Sequence, residues 1–189
     1  HQLGLGTWLS EENKVYEATK TALDEGYRHI DEAWIYGNEE EVGRALTEKF
    51  AEGKIKREDV FVTSKIWNCF HRPELVKEGL MESMKKLQLD YLDLYLVHFP
   101  VSFIPGCSEA TEKEMVEEVP LADTWAQMEA LVDEGLVKNI GVSNFEIEHI
   151  KTIQAVNKKP IAANQFETQP YFQRNELVNY CHENKIIVI

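Results

Sequence analysis

Short apolar runs alternate along the chain with stretches in which apolar residues recur every three to four positions. The short runs are typical of buried strands, and the three-to-four spacing is typical of amphipathic helices. One predicted helical stripe comprises Val15, Ala18, Thr19, Ala22 and Leu23. A second comprises Val76, Gly79, Leu80, Ser83, Met84 and Leu87. The predicted strands are Leu3 to Trp8, Arg28 to Asp31, Val60 to Lys65, Leu92 to His98, Asn139 to Ser143, Ile161 to Gln165 and Ile186 to Ile189.

Proline and glycine mark the ends of the predicted helices. Pro73 suits a first helical turn, while Gly26 and Gly135 each follow an Asp-Glu pair and lead into a strand. The repeated order of helix, glycine and strand predicts βα units, whose right-handed crossovers build a parallel sheet. The sequence therefore predicts an α/β protein.

An open doubly wound sheet and a closed barrel both fit this alternation, and a phosphate loop after the first strand would distinguish them. The segment 3–6 has two glycines of a dinucleotide fingerprint, but no third glycine opens a helix and no Walker sequence occurs. We therefore expect a (β/α)8 TIM barrel. Because the chain stops inside a strand-like segment, we expect residues 1–189 to form one incomplete barrel domain, a fragment that lacks the last βα portion and the C-terminal loop.

Composition and charge disfavour several classes of protein. The 33 acidic and 20 basic residues give a formal charge of -13, which repels nucleic-acid phosphates and anionic lipids. The chain has no apolar run of membrane-spanning length, and its first residues lack the signal-peptide pattern of basic residues followed by an apolar stretch. Cys69, Cys107 and Cys181 are too scattered for a disulfide framework and are interpreted as free thiols. We expect a cytoplasmic protein without nucleic-acid or membrane partners.

One long stretch without a regular pattern runs from Phe99 to about Val119, after a predicted strand end. Active-site loops of a barrel leave the carboxyl ends of its strands, so we interpret this stretch as a substrate-covering loop. A solvated insertion without function is the alternative. Its acidic part, Glu109 to Glu118, is interpreted as a solvated face.

Polar and aromatic residues stand at the ends of the successive predicted strands. They are Trp8, Asp31, Lys65, His98, Ser143 with Asn144, and Gln165, and Tyr36 lies five residues beyond Asp31. In a barrel these strand ends converge on one mouth. A buried Lys, Asp or His is costly unless it is paired, so we expect these side chains to interact with one another.

Asp31, Lys65 and Tyr36 together suit proton donation. A tyrosine with its ordinary pKa, near 10, is a poor donor at neutral pH, and a neighbouring ammonium lowers that pKa by favouring the phenolate. We expect Asp31 to keep Lys65 charged and Lys65 to tune Tyr36 as a general acid. We expect His98 to hydrogen-bond the same substrate oxygen and orient it.

Six motifs, in order, resemble those of the aldo-keto reductase family. They are GYRHID at 26–31, IYGNEEEVG at 35–43, TSKIW at 63–67, LVHFP at 96–100, GVSNF at 141–145 and NQ at 164–165. The resemblance covers essentially the whole chain. It implies an oxidoreductase that reduces the aldehyde or ketone group of a small molecule to an alcohol, with a hydride from NADPH in preference to NADH.

The resemblance also implies roles for individual residues. Tyr36 would donate the proton, and Lys65, Asp31 and His98 would complete the catalytic four. The implied cofactor-binding residues are Thr7, Trp8, Asp31, Ser143, Asn144 and Gln165, and the implied substrate-pocket residues are Trp8, Trp67 and Phe99. Phe99 stands where the family often has a tryptophan, which leaves the substrate preference open.

The family pattern places further elements after Ile189: the closing strand, a segment that stacks on the nicotinamide, and a basic loop for the adenosine phosphate. We therefore expect activity in a full-length parent protein. For this chain alone we expect weak NADPH binding or none, and no useful activity. A monomer is favoured over an oligomer.

Two other functions remain as alternatives. A non-catalytic structural or regulatory protein that reuses the barrel predicts the loss of at least one catalytic side chain, whereas all four are present. A metal-dependent barrel hydrolase predicts zinc bound through His29 and Asp31, but no second cluster completes such a site in the sequence, and we expect no metal.

Several residues also have purely structural interpretations. His71, His149 and His182 are interpreted as surface or helix-face residues. Trp8 is equally consistent with core packing. Ser143 and Asn144 are also suited to cap a helix that begins near Phe145.

Overall fold

The structure is a computed structural model that describes residues 2–11, 13–109 and 113–189. The strands of its main sheet are β1 (Leu5–Gly6), β2 (His29–Asp31), β3 (Phe61–Ile66), β4 (Leu92–Val97), β7 (Val137–Ser143), β8 (Ala163–Gln165) and β9 (Ile187–Val188). Two short strands, β5 (Ser102–Phe103) and β6 (Val116–Glu117), form a separate pair. The α-helices are α1 (Lys14–Asp24), α2 (Glu39–Ala51), α3 (Pro73–Leu87), α4 (Leu121–Asp133), α5 (Ile147–Gln154) and α6 (Asn175–Glu183).

The main sheet has seven strands in the order β1-β2-β3-β4-β7-β8-β9, and every neighbouring pair is parallel. All seven predicted strands are confirmed. The predicted incomplete α/β barrel is also confirmed, and β1 and β9 lie at the two edges of its sheet. The first strand is shorter than predicted, because only Leu5 and Gly6 pair with the three-residue strand β2.

The helices follow the predicted apolar stripes with one exception. All six predicted positions of α3 are buried, and Pro73 begins that helix. In α1, Ala18 is exposed and not buried as predicted, because it lies at the edge of the stripe. Gly26 and Gly135 lie just beyond α1 and α4 with φ of 95° and 74°, the left-handed conformation that ends helices. Among the described residues, no helix is both long and apolar enough to cross a membrane.

The strands divide their side chains between two sides of the sheet. Residues such as Ile30, Val62 and Val97 belong to the large cluster packed against the helices. Leu94, Leu96 and Ala163 form a separate, smaller cluster. Because successive side chains of a strand point to opposite faces, this smaller cluster marks the inner face of the half-barrel.

The predicted loop from Phe99 to Val119 contains structure that the sequence did not indicate. Strands β5 and β6 pair antiparallel within it, and Glu117 of β6 accepts three hydrogen bonds of 2.6 to 3.0 Å from Arg72. The interpretation of Glu109 to Glu118 as a solvated face is therefore wrong for Glu117, because the strand pair brings it onto Arg72. Residues 110–112 of that acidic stretch lie outside the described residues.

Candidate active site

Lys65, near the carboxyl end of β3, is the centre of a buried polar cluster. Its side chain has no solvent exposure. Its Nζ donates to Asp31 Oδ1 at 2.7 Å, to the Glu32 carbonyl oxygen at 2.9 Å and to Tyr36 Oη at 3.0 Å. An ammonium has three hydrogens and all three are used, so this pocket suits a charged lysine.

Asp31 ends β2 and connects Lys65 with Gln165 of β8 and with Thr7, which follows β1. Its Oδ2 accepts from Gln165 Nε2 of β8 at 2.7 Å. Its backbone carbonyl accepts from the Thr7 hydroxyl at 3.0 Å and from the Thr7 amide at 3.2 Å. The aspartate is thereby held between Lys65 and Gln165, with Thr7 fixed beside it.

Tyr36 lies in a 3-10 turn, Trp34–Tyr36, that follows β2. Burial raises the pKa of the Tyr36 phenol, and the Lys65 ammonium lowers it by less, so the net pKa lies above its usual value. The predicted lowering of the Tyr36 pKa is therefore wrong in its net direction, because burial raises this pKa by more than Lys65 lowers it. The two groups are in direct contact, as that argument required.

His98 follows β4 and faces the same mouth. Its ring lies edge-on to Tyr36, with centroids 5.8 Å apart, and stacks on Phe99 at 5.2 Å. Burial, with smaller contributions from Lys65 and His71, lowers the pKa of His98 to about 3. The imidazole is therefore neutral at physiological pH, and it can donate a hydrogen bond without carrying a charge.

Ser143, Asn144 and Gln165 form a second polar group at the same edge of the sheet. The Ser143 hydroxyl donates to the Gln165 carbonyl at 2.9 Å. Asn144 Nδ2 donates to the His98 carbonyl at 3.0 Å and to Ser143 Oγ at 3.1 Å. The interpretation of Ser143 and Asn144 as a helix cap is wrong: Phe145 is buried in the core, and α5 begins two residues later, at Ile147.

The aromatic residues predicted for the pocket differ in their placement. Trp67 lies edge-on to His98 at 5.1 Å and to Phe99 at 6.0 Å, and its Nε1 donates to the Ser108 carbonyl of the long loop at 2.7 Å. The loop therefore covers one side of the mouth. Trp8 is 68% exposed, so its interpretation as core packing is wrong; β1 ends at Gly6 and leaves it beyond the sheet.

Sequence reasoning missed Glu32. This residue is fully buried directly after β2, and burial raises the pKa of its carboxyl to about 8. It also interacts electrostatically with Lys65 and with Glu39, a buried carboxyl of α2 that accepts from the Ser64 hydroxyl at 2.8 Å. The only available signal was a second acidic residue directly after a strand-end aspartate.

His71 contradicts its interpretation as a surface residue. It is 1% exposed, and its Nδ1 lies 3.1 Å from the Ser102 hydroxyl of β5. Its carbonyl accepts from the Thr124 hydroxyl at 2.7 Å. The residue is buried because β5 and α4 both pack over it. His149 is half-buried on α5 and His182 is exposed on α6, in agreement with prediction.

His71 should make the protein sensitive to acid. Burial lowers the pKa of His71 to about 4, so the folded state keeps this imidazole neutral. The contribution of His71 to the stability of the folded state is complete above pH 6.5, and it is lost as the pH falls toward 4. Between pH 7 and pH 4, the free energy of unfolding of the wild type should fall by roughly 3 kcal/mol more than that of His71→Gln. Urea unfolding across this range measures the difference, with His182→Gln as an exposed control. Parallel pH profiles for all three proteins would contradict the assignment.

His29 lies on the inner side of β2, below Asp31. Its Nε2 is 3.0 Å from the Thr63 hydroxyl, and its ring lies edge-on to Phe61 at 5.1 Å. Within the described ranges, no group of three or more His, Cys, Asp or Glu side chains is arranged to hold a metal ion. The arrangement at the mouth is therefore one of a lysine, carboxylates, a phenol and an imidazole.

Comparison of the sequence with known proteins identifies similar enzymes. Residues 2–189 match the model of the aldo/keto reductase family. The chain is 46% identical to aldo-keto reductase family 1 member C3 of Homo sapiens over 99% of its own length and 61% of that protein. It is 45% identical to the prostaglandin-E(2) 9-reductase of Oryctolagus cuniculus over the same shares. The chain thus spans 61% of the length of these relatives.

Solved structures give the same result for the fold. The aldose reductase of Schistosoma japonicum superposes with a TM-score of 0.94 at 44% identity. The aldose reductase of Giardia lamblia superposes with a TM-score of 0.94 at 46% identity. Each match covers 98% of this chain and 63% of the solved chain. The described sheet and helices therefore match the corresponding part of the barrel in those enzymes.

Proposed function

The chain belongs to the aldo-keto reductase family, and on that premise we propose that it reduces an aldehyde or ketone to an alcohol, with Tyr36 as the proton donor. One observation carries the proposal: the buried ammonium of Lys65 contacts both Asp31 Oδ1, at 2.7 Å, and Tyr36 Oη, at 3.0 Å. A buried lysine that bonds a phenol is suited to stabilise the phenolate left after proton donation.

The direction of these hydrogen bonds leaves the Tyr36 proton available. A lysine ammonium has donors and no acceptor, so Lys65 donates to the phenol oxygen and cannot receive its hydrogen. That hydrogen is free for a substrate carbonyl oxygen at the mouth. Asp31 offsets the charge of Lys65, with which its Oδ1 forms a hydrogen bond of 2.7 Å.

His98 would orient the carbonyl group. Its neutral imidazole donates a hydrogen bond to the carbonyl oxygen without adding a positive charge to the site. Contacts with Tyr36, Trp67 and Phe99 limit the positions that the ring can take. These rings also exclude water from the reacting oxygen and favour small aromatic or aliphatic carbonyl compounds.

The residues at the mouth fit a nicotinamide cofactor. A carboxamide needs hydrogen-bond donors and acceptors, and the Ser143 hydroxyl with the Asn144 and Gln165 amides supplies both. Gln165 would have to exchange its bond to Asp31 for this role. Thr7, Asp31 and Trp8 are the residues proposed to lie against the ribose and the ring. When bound, NADPH supplies the hydride, and the family resemblance favours it over NADH.

The proposed setting is the cytoplasm, where free thiols such as Cys69, Cys107 and Cys181 are usual. We propose a monomer that acts on small molecules.

Steady-state assays of the complete protein test the proposal. We expect NADPH oxidation that depends on an added carbonyl compound, measured with an aromatic aldehyde, an aliphatic aldehyde, an aldose and a ketone. We expect NADH to support a lower rate, and a chelating agent to leave the rate unchanged. Folded protein that oxidises NADPH with none of these compounds would favour the non-catalytic alternative, and stoichiometric zinc in the purified protein would favour the hydrolase.

A further inference from the structure

Glu32 adds a second buried carboxyl directly after Asp31, the residue that pairs with Lys65. Its backbone carbonyl accepts from Lys65 Nζ at 2.9 Å, while its side chain is fully buried. Oε2 accepts from the Ala33 amide at 3.3 Å. Oε1 is buried without a hydrogen-bond partner in the part of the chain that the structure describes. Glu32 therefore contacts Lys65 through its backbone, while its carboxyl is buried and poorly solvated.

Two hydrogen-bonding arguments favour the neutral acid. Lys65 has already given its three hydrogens to Asp31, to the Glu32 backbone and to Tyr36, so it has none for the Glu32 carboxylate. The Thr7 hydroxyl, which interacts with the Glu32 carboxyl, has given its hydrogen to the Asp31 carbonyl. A protonated Glu32 can donate to Thr7 Oγ1, whereas an ionised Glu32 can accept from Thr7 only if Thr7 releases the Asp31 carbonyl.

Burial has the largest effect on the protonation of Glu32, and repulsion from Glu39 of α2 acts in the same direction. The Thr7 hydroxyl, the Ala33 amide and Lys65 of β3 act in the opposite direction but by less, and the pKa of Glu32 is raised to about 8. Asp31 and Tyr36 are the other titratable groups of this cluster. Glu32 is therefore neutral at pH 7 and titrates just above physiological pH.

We propose that Glu32 is a positioning residue that sets the acidity of Tyr36: the neutral acid leaves Tyr36 a competent proton donor, and ionisation of Glu32 makes it a weaker one. The inference rests on the proposed reductase activity. A negative charge on Glu32 opposes the phenolate of Tyr36, and the two groups interact electrostatically. Reduction should then slow as the pH rises through about 8, before Tyr36 itself titrates.

NMR of the complete protein with tyrosine labelled with carbon-13 at Cζ tests this coupling without turnover. The spectrum of Tyr36→Phe assigns the Tyr36 resonance. In the wild type we expect that resonance to shift in two steps, the first centred near pH 8 as Glu32 ionises. In Glu32→Gln the first step should be absent, and the pKa of Tyr36 should fall by about one pH unit. Glu40→Gln, an exposed neighbour on α2, should behave as the wild type.

A second readout uses the rate of carbonyl reduction. The rate of carbonyl reduction by the wild type should fall as the pH rises through about 8, and that of Glu32→Gln should not. If Glu32→Gln does not fold, Glu32→Met replaces it as the variant without an ionisable group. A single-step wild-type titration with an unchanged Tyr36 pKa in both variants would overturn the proposal. If both steps of the Tyr36 titration appear but no carbonyl compound is reduced, Glu32 is coupled to Tyr36 and the proposed function is wrong. If carbonyl compounds are reduced but the step near pH 8 is missing, only the role of Glu32 is wrong.

Discussion

Tyr36→Phe in the complete protein is expected to reduce the rate of carbonyl reduction by roughly 100- to 10,000-fold. The variant removes the proton that the Lys65 contact leaves free, and it keeps the aromatic ring that packs edge-on to His98. NADPH affinity should be nearly unchanged, because the hydroxyl is not among the groups proposed to hold the carboxamide or the ribose. Stopped-flow kinetics and a fluorescence titration with NADPH measure the two effects separately.

Tyr171→Phe is the matched control, because it makes the same substitution at a tyrosine that is 98% exposed. It should retain the wild-type rate. Comparable turnover in Tyr36→Phe would remove Tyr36 from the mechanism. A loss of NADPH affinity equal to the loss of rate would instead show that the hydroxyl serves in binding.

Lys65→Met is expected to impair both turnover and stability. The rate should fall by roughly 100-fold or more, because the phenolate loses its stabilising charge. The free energy of unfolding should fall by roughly 3 to 5 kcal/mol, because the variant leaves Asp31 without the charge that offsets it. Urea unfolding and steady-state kinetics measure the two losses.

Lys138→Met is the control for stability. Lys138 also forms an ion pair, with Asp93 at 2.9 Å, but half of its side chain is exposed. A pair of this kind contributes about 0 to 1 kcal/mol. If Lys65→Met lowers the free energy of unfolding by no more than Lys138→Met and keeps the wild-type rate, the buried contacts of Lys65 contribute neither to stability nor to turnover.

Much of the fold was predictable because each strand combines an apolar run with a distinctive polar end. Asp31, Lys65 and His98 stand at the ends of three neighbouring strands, so a parallel sheet brings them together without further information. The motif order then indicated the family, which the comparisons establish. The helical stripe of α3 was predicted completely because the helix packs one continuous face on the sheet.

Three errors, at His71, Glu117 and Tyr36, share a physical cause, because each depends on packing between segments distant in sequence. His71 looks like a loop residue before Pro73, and it is buried only because β5 and Thr124 of α4 cover it. Glu117 looks like part of a solvated acidic run until β6 carries it onto Arg72. The pKa of Tyr36 depends on burial, which the spacing of the motifs does not measure.

The proposed reduction requires hydride transfer from the cofactor to the carbonyl carbon, and isotope transfer measures this step. The complete protein is given NADPH that carries deuterium at both C4 positions of the nicotinamide, together with a carbonyl compound that it reduces. We expect the wild type to form alcohol with one deuterium on the carbinol carbon and Tyr36→Phe to form almost none. Alcohol that acquires its carbon-bound hydrogen from the solvent, or no alcohol at all from folded protein and any carbonyl compound, would contradict hydride transfer by this protein.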